Sequence, residues 1–248
     1  VFSRDAATGR LTFVEVQKGG AGGVDGLSGA LSVIVSPDGK HVYTGAYWDE
    51  AVSVFGRDEV TGRLAFLGLE KEGVGGVEGL NGIRCVTASQ DGRHIYAAGY
   101  RGQAVAVFGR DGTTGRLTFL GAAKRGREGV AGLQGASSVT VTKDGKHVYA
   151  TGFIDSTVAV FSRDAVSGKL MFVEKQQDGV AGVSGLKGAF SVAVSPDGKH
   201  AYIGGFADSA VVVLSRDGMT GRLTFVEVHK DGVGGVEGLQ GGSSLAIS

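Results

Sequence analysis

Val1-Phe2-Ser3-Arg4-Asp5 returns as Val54-Phe55-Gly56-Arg57-Asp58, then at positions 107–111, 160–164 and 213–217, always 53 residues further on. A fixed period of about this size marks one small structural unit stacked on copies of itself, each unit burying the apolar face its neighbour leaves open. The repeat runs the whole chain without slippage. Residues 1–248 therefore read as one domain, with units starting at 1, 54, 107, 160 and 213. The repeat also sets a rule for function. A residue present in every copy serves the unit, so chemistry is to be sought where the copies differ.

One unit can be read strand by strand. Ser32-Val33-Ile34-Val35-Ser36 is a short β-branched run. Pro37-Asp38-Gly39-Lys40 follows as a turn, because glycine accepts the positive φ that an Asp-Gly hairpin needs. His41–Gly45 is a second strand, Tyr47–Glu50 a loop, Ala51–Phe55 a third strand, Arg57–Gly62 a turn and Arg63–Leu67 a fourth strand. No helical period of apolar residues interrupts them. Four short strands joined by turns make a four-stranded antiparallel blade, and blades of this length build a β-propeller. The expected fold is all-β: five blades, strands lettered A (innermost) to D (outermost), with an incomplete closing blade.

Composition excludes several function classes. Lys and Arg number 25, as do Asp and Glu, and the signs are interspersed. Such a chain has no general pull toward nucleic acid or an anionic membrane, and neither is expected as a partner. No apolar run reaches the length of a membrane-spanning helix. Cys85 is the only cysteine, so no intrachain disulfide can form and redox logic does not fix the compartment. It stands where other copies carry Ser32, Ser138, Ser191 and Ser244, which marks a drifted structural position. The chain does not begin with Met and starts within a unit, so it reads as processed or as cut from something longer.

The segments Ser36-Pro37-Asp38-Gly39-Lys40-His41-Val42-Tyr43 and Ser195-Pro196-Asp197-Gly198-Lys199-His200-Ala201-Tyr202 resemble the YVTN-type propeller repeat. Val160–Asp164 and Thr220-Gly221-Arg222-Leu223-Thr224-Phe225 are similar to bacterial lactonase-like propellers of the 6-phosphogluconolactonase type. The resemblance covers the chain and implies the fold, together with a bacterial, exported or cell-surface setting. Such propellers have seven blades, whereas this chain supplies fewer than five full units. Its glycine-rich D-to-A connections are also longer than those of short YVTN repeats. No catalytic residue of that family maps onto a position here.

Counting strands gives five A, five D, four B, and four C with a stub at Val1–Ser3; Ser248 aligns with Ser36. A five-bladed ring would join the C-terminal A strand to the N-terminal C and D strands in one blade lacking strand B. Three outcomes follow: imperfect closure, completion by residues outside this chain, or a strand supplied by a neighbouring copy. An open strand edge is a template for pairing, so self-association through the incomplete blade is expected.

Each D-to-A connection carries Gly-x-x-Gly-Val-x-Gly-Leu-x-Gly, as at Gly20, Gly23, Gly26 and Gly29. Glycine at every third position permits close backbone approach, and the interleaved Val24 and Leu27 would anchor the loop, so these read as ordered loops. None ends in the Lys-Ser/Thr of a phosphate loop, and the spacing matches neither a dinucleotide fingerprint nor a calcium nonapeptide. His41, His94, His147 and His200 recur at the start of strand B, a blade apart, and should each contact their own turn rather than converge on a metal. The recurring Arg-Asp of the C-to-D turn reads as an Asp capping the turn and an Arg covering it. No cofactor, metal site or catalytic constellation is expected.

Variation is concentrated at the entrance face. Strand A opens with Leu31, Arg84, Ser137, Phe190 and Ser243. The B-to-C loops carry Trp48, Arg101, Ile154 and Ala207 beside the aromatics Tyr47, Tyr100, Phe153 and Phe206. Trp48, Arg84, Arg101, Tyr47, Tyr100 and Phe190 are therefore the candidate ligand-binding residues, offering stacking and anion contacts. The reading these features favour is a non-catalytic binding or interaction propeller, with a small glycan or a protein as ligand. Two alternatives stand: a structural, assembly-forming or engineered repeat scaffold, and a lactonase-like hydrolase.

Overall fold

The computed structural model describes residues 1–247; Ser248, aligned above with Ser36, lies outside them. Among the described residues there are eighteen strands and no helix. Sheet I contains only β1 (Phe2–Arg4) and β2 (Leu11–Phe13). Blade II is β3 (Ala30–Val35), β4 (His41–Ala46), β5 (Ala51–Arg57) and β6 (Leu64–Lys71). Blade III is β7 (Ile83–Ala88), β8 (His94–Gly99), β9 (Ala104–Arg110) and β10 (Leu117–Lys124). Blade IV is β11 (Ala136–Val141), β12 (His147–Gly152), β13 (Thr157–Arg163) and β14 (Leu170–Gln177). Blade V is β15 (Ala189–Val194), β16 (His200–Gly205), β17 (Ala210–Arg216) and β18 (Leu223–Lys230). Each blade is an antiparallel meander in strand order, which is the propeller unit expected from the repeat.

The registers repeat too. Strands C and D shift by one residue at the same place in every complete blade, for example between Val54 and Phe55. This bulge lengthens strand D and increases its twist. Strand C is buried on both faces: Ala51 to Phe55 and Ala104 to Phe108 are buried without interruption. Its Phe meets a Phe on strand D edge-on, as at Phe55–Phe66, with centroids 5.5 Å apart.

The inner strands pack in sequence, β3 on β7, β7 on β11 and β11 on β15. Val33 on β3 is 66% exposed, while its repeat equivalents Val86 and Val139 are 2% and 3% exposed. One flank of β3 therefore carries no neighbouring blade, and the described residues form an arc. Sheet I packs against blade II through Glu15 and Gln17. The C-terminal segment lies against blade V, where Leu245 N–H donates to Ser191 Oγ at 3.1 Å. Among the described residues no hydrogen bond joins these two ends. Among the described residues the fifth A segment is not a strand.

Blades are fastened by a latch that corrects one expectation and refines another. Arg163, at the end of β13, does not cover its own C-to-D turn. Its Nε donates to Tyr96 Oη of blade III at 2.8 Å, its Nη2 to Asp91 Oδ2 and to His94 Nδ1, both at 2.8 Å, and its Nη1 to Gly145 O at 2.9 Å. Arg110 binds Tyr43, Asp38 and His41 in the same way, and Arg216 binds Tyr149, Asp144 and His147. These histidines do contact their own turns through the backbone, His94 N–H donating to Ser89 Oγ at 3.0 Å, but they are not open strand-edge residues. They sit buried beneath the next blade, facing an arginine, and burial with the adjacent guanidinium lowers their pKa. The turn aspartate does cap as expected: Asp164 Oδ1 accepts from the N–H groups of Val166 and Ser167.

Candidate functional site

The B-to-C turns and the glycine-rich loops meet on one face. Tyr47 N–H donates to Gly29 O, Tyr100 N–H to Gly82 O, Phe153 N–H to Gly135 O and Phe206 N–H to Gly188 O, at 2.9–3.1 Å. Each loop thereby holds its blade's turn, and each turn projects one aromatic ring. The loops of blades III to V are fastened beneath by the buried pairs Val77 and Leu80, Val130 and Leu133, and Val183 and Leu186. Gly82 shows why glycine is needed. Its φ is +67°, and a Cβ there would stand 3.1 Å from Arg101 Nε and 3.2 Å from Tyr47 Cε2. The absent side chain makes room for the ring and the guanidinium that shape the rim.

Arg84 lies at the centre of this rim. It extends from the start of β7, and its guanidinium carbon lies 4.3 Å from the Tyr100 ring centroid, 5.3 Å from Phe190 and 5.7 Å from Tyr47. Phe190 comes from blade V and Tyr47 from blade II, so side chains three blades apart converge on one cation. Phe190 is braced by Phe153 and Phe206, each with its centroid 6.0 Å away. Arg84 has no carboxylate within salt-bridge distance among the described residues, and its buried Nε has no hydrogen-bond partner. The aromatic faces give it cation–π attraction, which leaves its donors free.

Arg101 is different. Its Nη2 donates to Glu50 Oε1 at 2.9 Å, so its charge is balanced, and it stacks over Tyr47 at 4.8 Å and Trp48 at 5.6 Å. Trp48 is exposed and meets Tyr47 edge-on at 4.7 Å. The six residues singled out from the sequence thus lie in one contiguous cluster, with Arg84 inward and Trp48 at the lip. Phe153 and Phe206 belong to it as well; the sequence marked them as retained aromatics without including them among the candidates. Glu50 was missed, because balance of Arg101 depends on a contact between neighbouring blades.

Other reactive groups lie elsewhere. Cys85 is part-buried on β7, and burial raises its pKa, so it stays a thiol. Among the described residues no group of three or more His, Cys, Asp or Glu could hold a metal ion.

A family model described as a lactonase, 7-bladed β-propeller, matches residues 1–133 and 122–235. A 6-phosphogluconolactonase from Pectobacterium carotovorum is 25% identical over 224 residues, covering 89% of this chain and 59% of the relative. The periplasmic gluconolactonase of Pseudomonas aeruginosa superposes with a TM-score of 0.72 at 26% identity, over 92% of this chain and 62% of that one. A protein from Lactobacillus plantarum superposes with a TM-score of 0.69 at 17% identity, a likeness of fold alone. The chain spans less than two thirds of the length of these relatives. These matches overturn the sequence-based preference for a non-catalytic interaction module. That preference rested on finding no acid, base or metal cluster. An arginine set among aromatic rings is a different kind of site, and a search for paired titratable groups passes over it.

Proposed function

The chain belongs to the lactonase family of seven-bladed β-propellers, and from that premise we propose that it hydrolyses a sugar lactone at the Arg84 rim. The observation that carries this reading is the unpaired guanidinium of Arg84, with Nε buried and three aromatic rings around it. Aromatic faces suit the C–H faces of a sugar ring. A free guanidinium donor suits the lactone carbonyl oxygen, which gains negative charge as water adds to the carbonyl carbon. As the tetrahedral adduct collapses, the bond from that carbon to the ring oxygen breaks. The ring oxygen takes a proton, the attacking water loses one, and a hydroxy acid results. Its carboxylate then faces Arg84. A positioned donor at a developing oxyanion is worth on the order of 10²–10³ in rate. Arg101, balanced by Glu50, and Trp48 at the lip would select what enters.

The test is a pH-stat assay of the purified chain with glucono-δ-lactone and with 6-phosphoglucono-δ-lactone. Proton release above the spontaneous rate, saturating with either lactone, is the expected result. No acceleration with either, by protein shown to be folded, would overturn the reading.

A further inference from the structure

The outer strands are joined at two blade junctions by a clamp that the other two lack. At the junction of sheet I and blade II, Glu15 Oε1 accepts from Leu64 N–H at 2.6 Å, and Gln17 Nε2 donates to Leu64 O at 3.0 Å. At the junction of blades IV and V, Glu174 Oε1 accepts from Leu223 N–H at 2.9 Å, and Gln176 Nε2 donates to Leu223 O at 2.8 Å. Arg63 and Arg222 add an ion pair to the glutamate, each at 3.2 Å. A Glu-x-Gln on one strand therefore satisfies the outward-facing donor and acceptor of the next.

Between blades III and IV the equivalent residues are Gly121 and Ala123. Leu170 pairs with Arg163 in the same register as Leu64 with Arg57 and Leu223 with Arg216. Its N–H and C=O point the same way, and among the described residues no side chain hydrogen-bonds to them. A cleft of about 710 Å³ opens there. Leu120, Val130, Met171 and Phe172 give it an apolar lining, and Lys124, Arg127 and Lys169 stand at its rim with Glu78 and Glu128. Arg127 and Lys124 share the single Glu78.

We propose that this cleft is a second binding site, separate from the Arg84 rim, and that it takes an extended peptide carrying Glu-x-Gln. The two intact clamps show the chemistry that fits: a carboxylate accepting from the leucine N–H and, two residues on, an amide donating to its C=O. A strand presents residues i and i+2 on one face, so one extended segment supplies both. Lys169 pairs with Glu128 at 3.8 Å, which leaves one positive charge in excess among Lys124, Arg127 and Glu78; that excess favours the carboxylate, and the lining accepts the apolar residues beside it.

The probe is an acetylated, amidated, fluorescein-labelled peptide, Phe-Val-Glu-Val-Gln-Lys, the sequence at positions 13–18. Fluorescence anisotropy against the intact chain should show saturable binding. Replacing its Glu and Gln by Ala should weaken binding at least about tenfold, the equivalent of about 1.4 kcal/mol for the two bonds. Ala123→Gln, which restores half the clamp from within, should weaken the unmodified peptide by a similar factor. Lys169→Glu, on the exposed rim, should weaken it without touching the cleft floor. No saturation, or equal binding by the Ala-substituted peptide, would overturn the proposal, as would equal binding by folded Ala123→Gln.

Discussion

Tyr96→Phe removes one oxygen from a fully buried site, and its effect can be worked out from the latch. The Tyr96 hydroxyl donates to Gly168 O at 3.1 Å and accepts from Arg163 Nε at 2.8 Å. The first is a neutral hydrogen bond, worth about 0.5–1.5 kcal/mol net, and the second involves a charged donor, worth about 1.5–3 kcal/mol. Phenylalanine keeps the ring and leaves the Nε of a guanidinium whose side chain is 1% exposed without its acceptor. A loss of about 2–4.5 kcal/mol follows. At about 2–4 °C per kcal/mol for a chain of this size, Tm should fall by roughly 4–18 °C. Tyr202 is an internal control. It holds the same place in blade V and the same tilt against its histidine, yet no arginine latches it among the described residues. Tyr202→Phe should change Tm by less than about 2 °C. Differential scanning calorimetry of the two variants decides the point. Equal Tm losses in both, or none in Tyr96→Phe, would refute the latch as a source of stability.

Three further outcomes are expected. Stability should fall in acid in two stages, read as Tm between pH 8 and pH 3. His41, His94 and His147 have lowered pKa values in the fold, so the stability they confer is present above about pH 6.5 and is lost as pH falls through their lowered values. For Asp91 and Asp144, burial pushes the pKa up but is outweighed by hydrogen bonds, from Ser89 and Arg163 and from Thr142 and Arg216 respectively. Both carboxyls are held at about 2, so their contribution is lost below about pH 4. Glu70 occupies the Gln position of the clamp at the junction of blades II and III, and burial raises its pKa. Its ionised form cannot donate to a carbonyl. Glu70→Gln should therefore raise Tm at pH 7.5 by about 1–6 °C, for one added hydrogen bond of about 0.5–1.5 kcal/mol. Because the raised pKa makes the wild type lose stability as pH rises through it, the gain should shrink toward pH 4; a gain independent of pH would count against this. Gly168→Ala should lower Tm by more than about 5 °C, because its φ is +71° and a Cβ would strike the His94 ring. Gly179→Ala, at a similar φ of +75° with open space around it, should cost much less.

What could be read from the sequence follows from how far each interaction reaches. Strands and turns are local: the β-branched runs, the Asp-Gly turns and the Asp caps act within a few residues, and the repeat multiplied their signal. The Arg84 cluster was legible for a related reason. Constancy marks the blade and variation marks the rim, so Arg84 and Phe190 stood out at a position that is otherwise Leu or Ser. The latch was not legible. Arg163 reaches Tyr96 and Asp91, 67 and 72 residues earlier, and in a perfect repeat every such pairing looks equally constant. The clamp was missed for the opposite reason. Gly121 and Ala123 look like drift until the neighbouring backbone shows what Glu174 and Gln176 do in the same place. The hydrolytic reading was present in the sequence only as an alternative carried by family resemblance, because an arginine among aromatic rings has no fixed spacing to search for.

The central claim is that Arg84 carries lactone chemistry at the rim, and the rate of Arg84→Gln tests it most directly. Glutamine is shorter and uncharged, and the aromatic rings come from other elements, so the fold should persist; an unchanged circular dichroism spectrum checks this. The account expects kcat/KM for a sugar lactone to fall by about 10²–10³, mostly in kcat, as for the loss of an oxyanion donor. A variant that turns over lactone at the wild-type rate would contradict it.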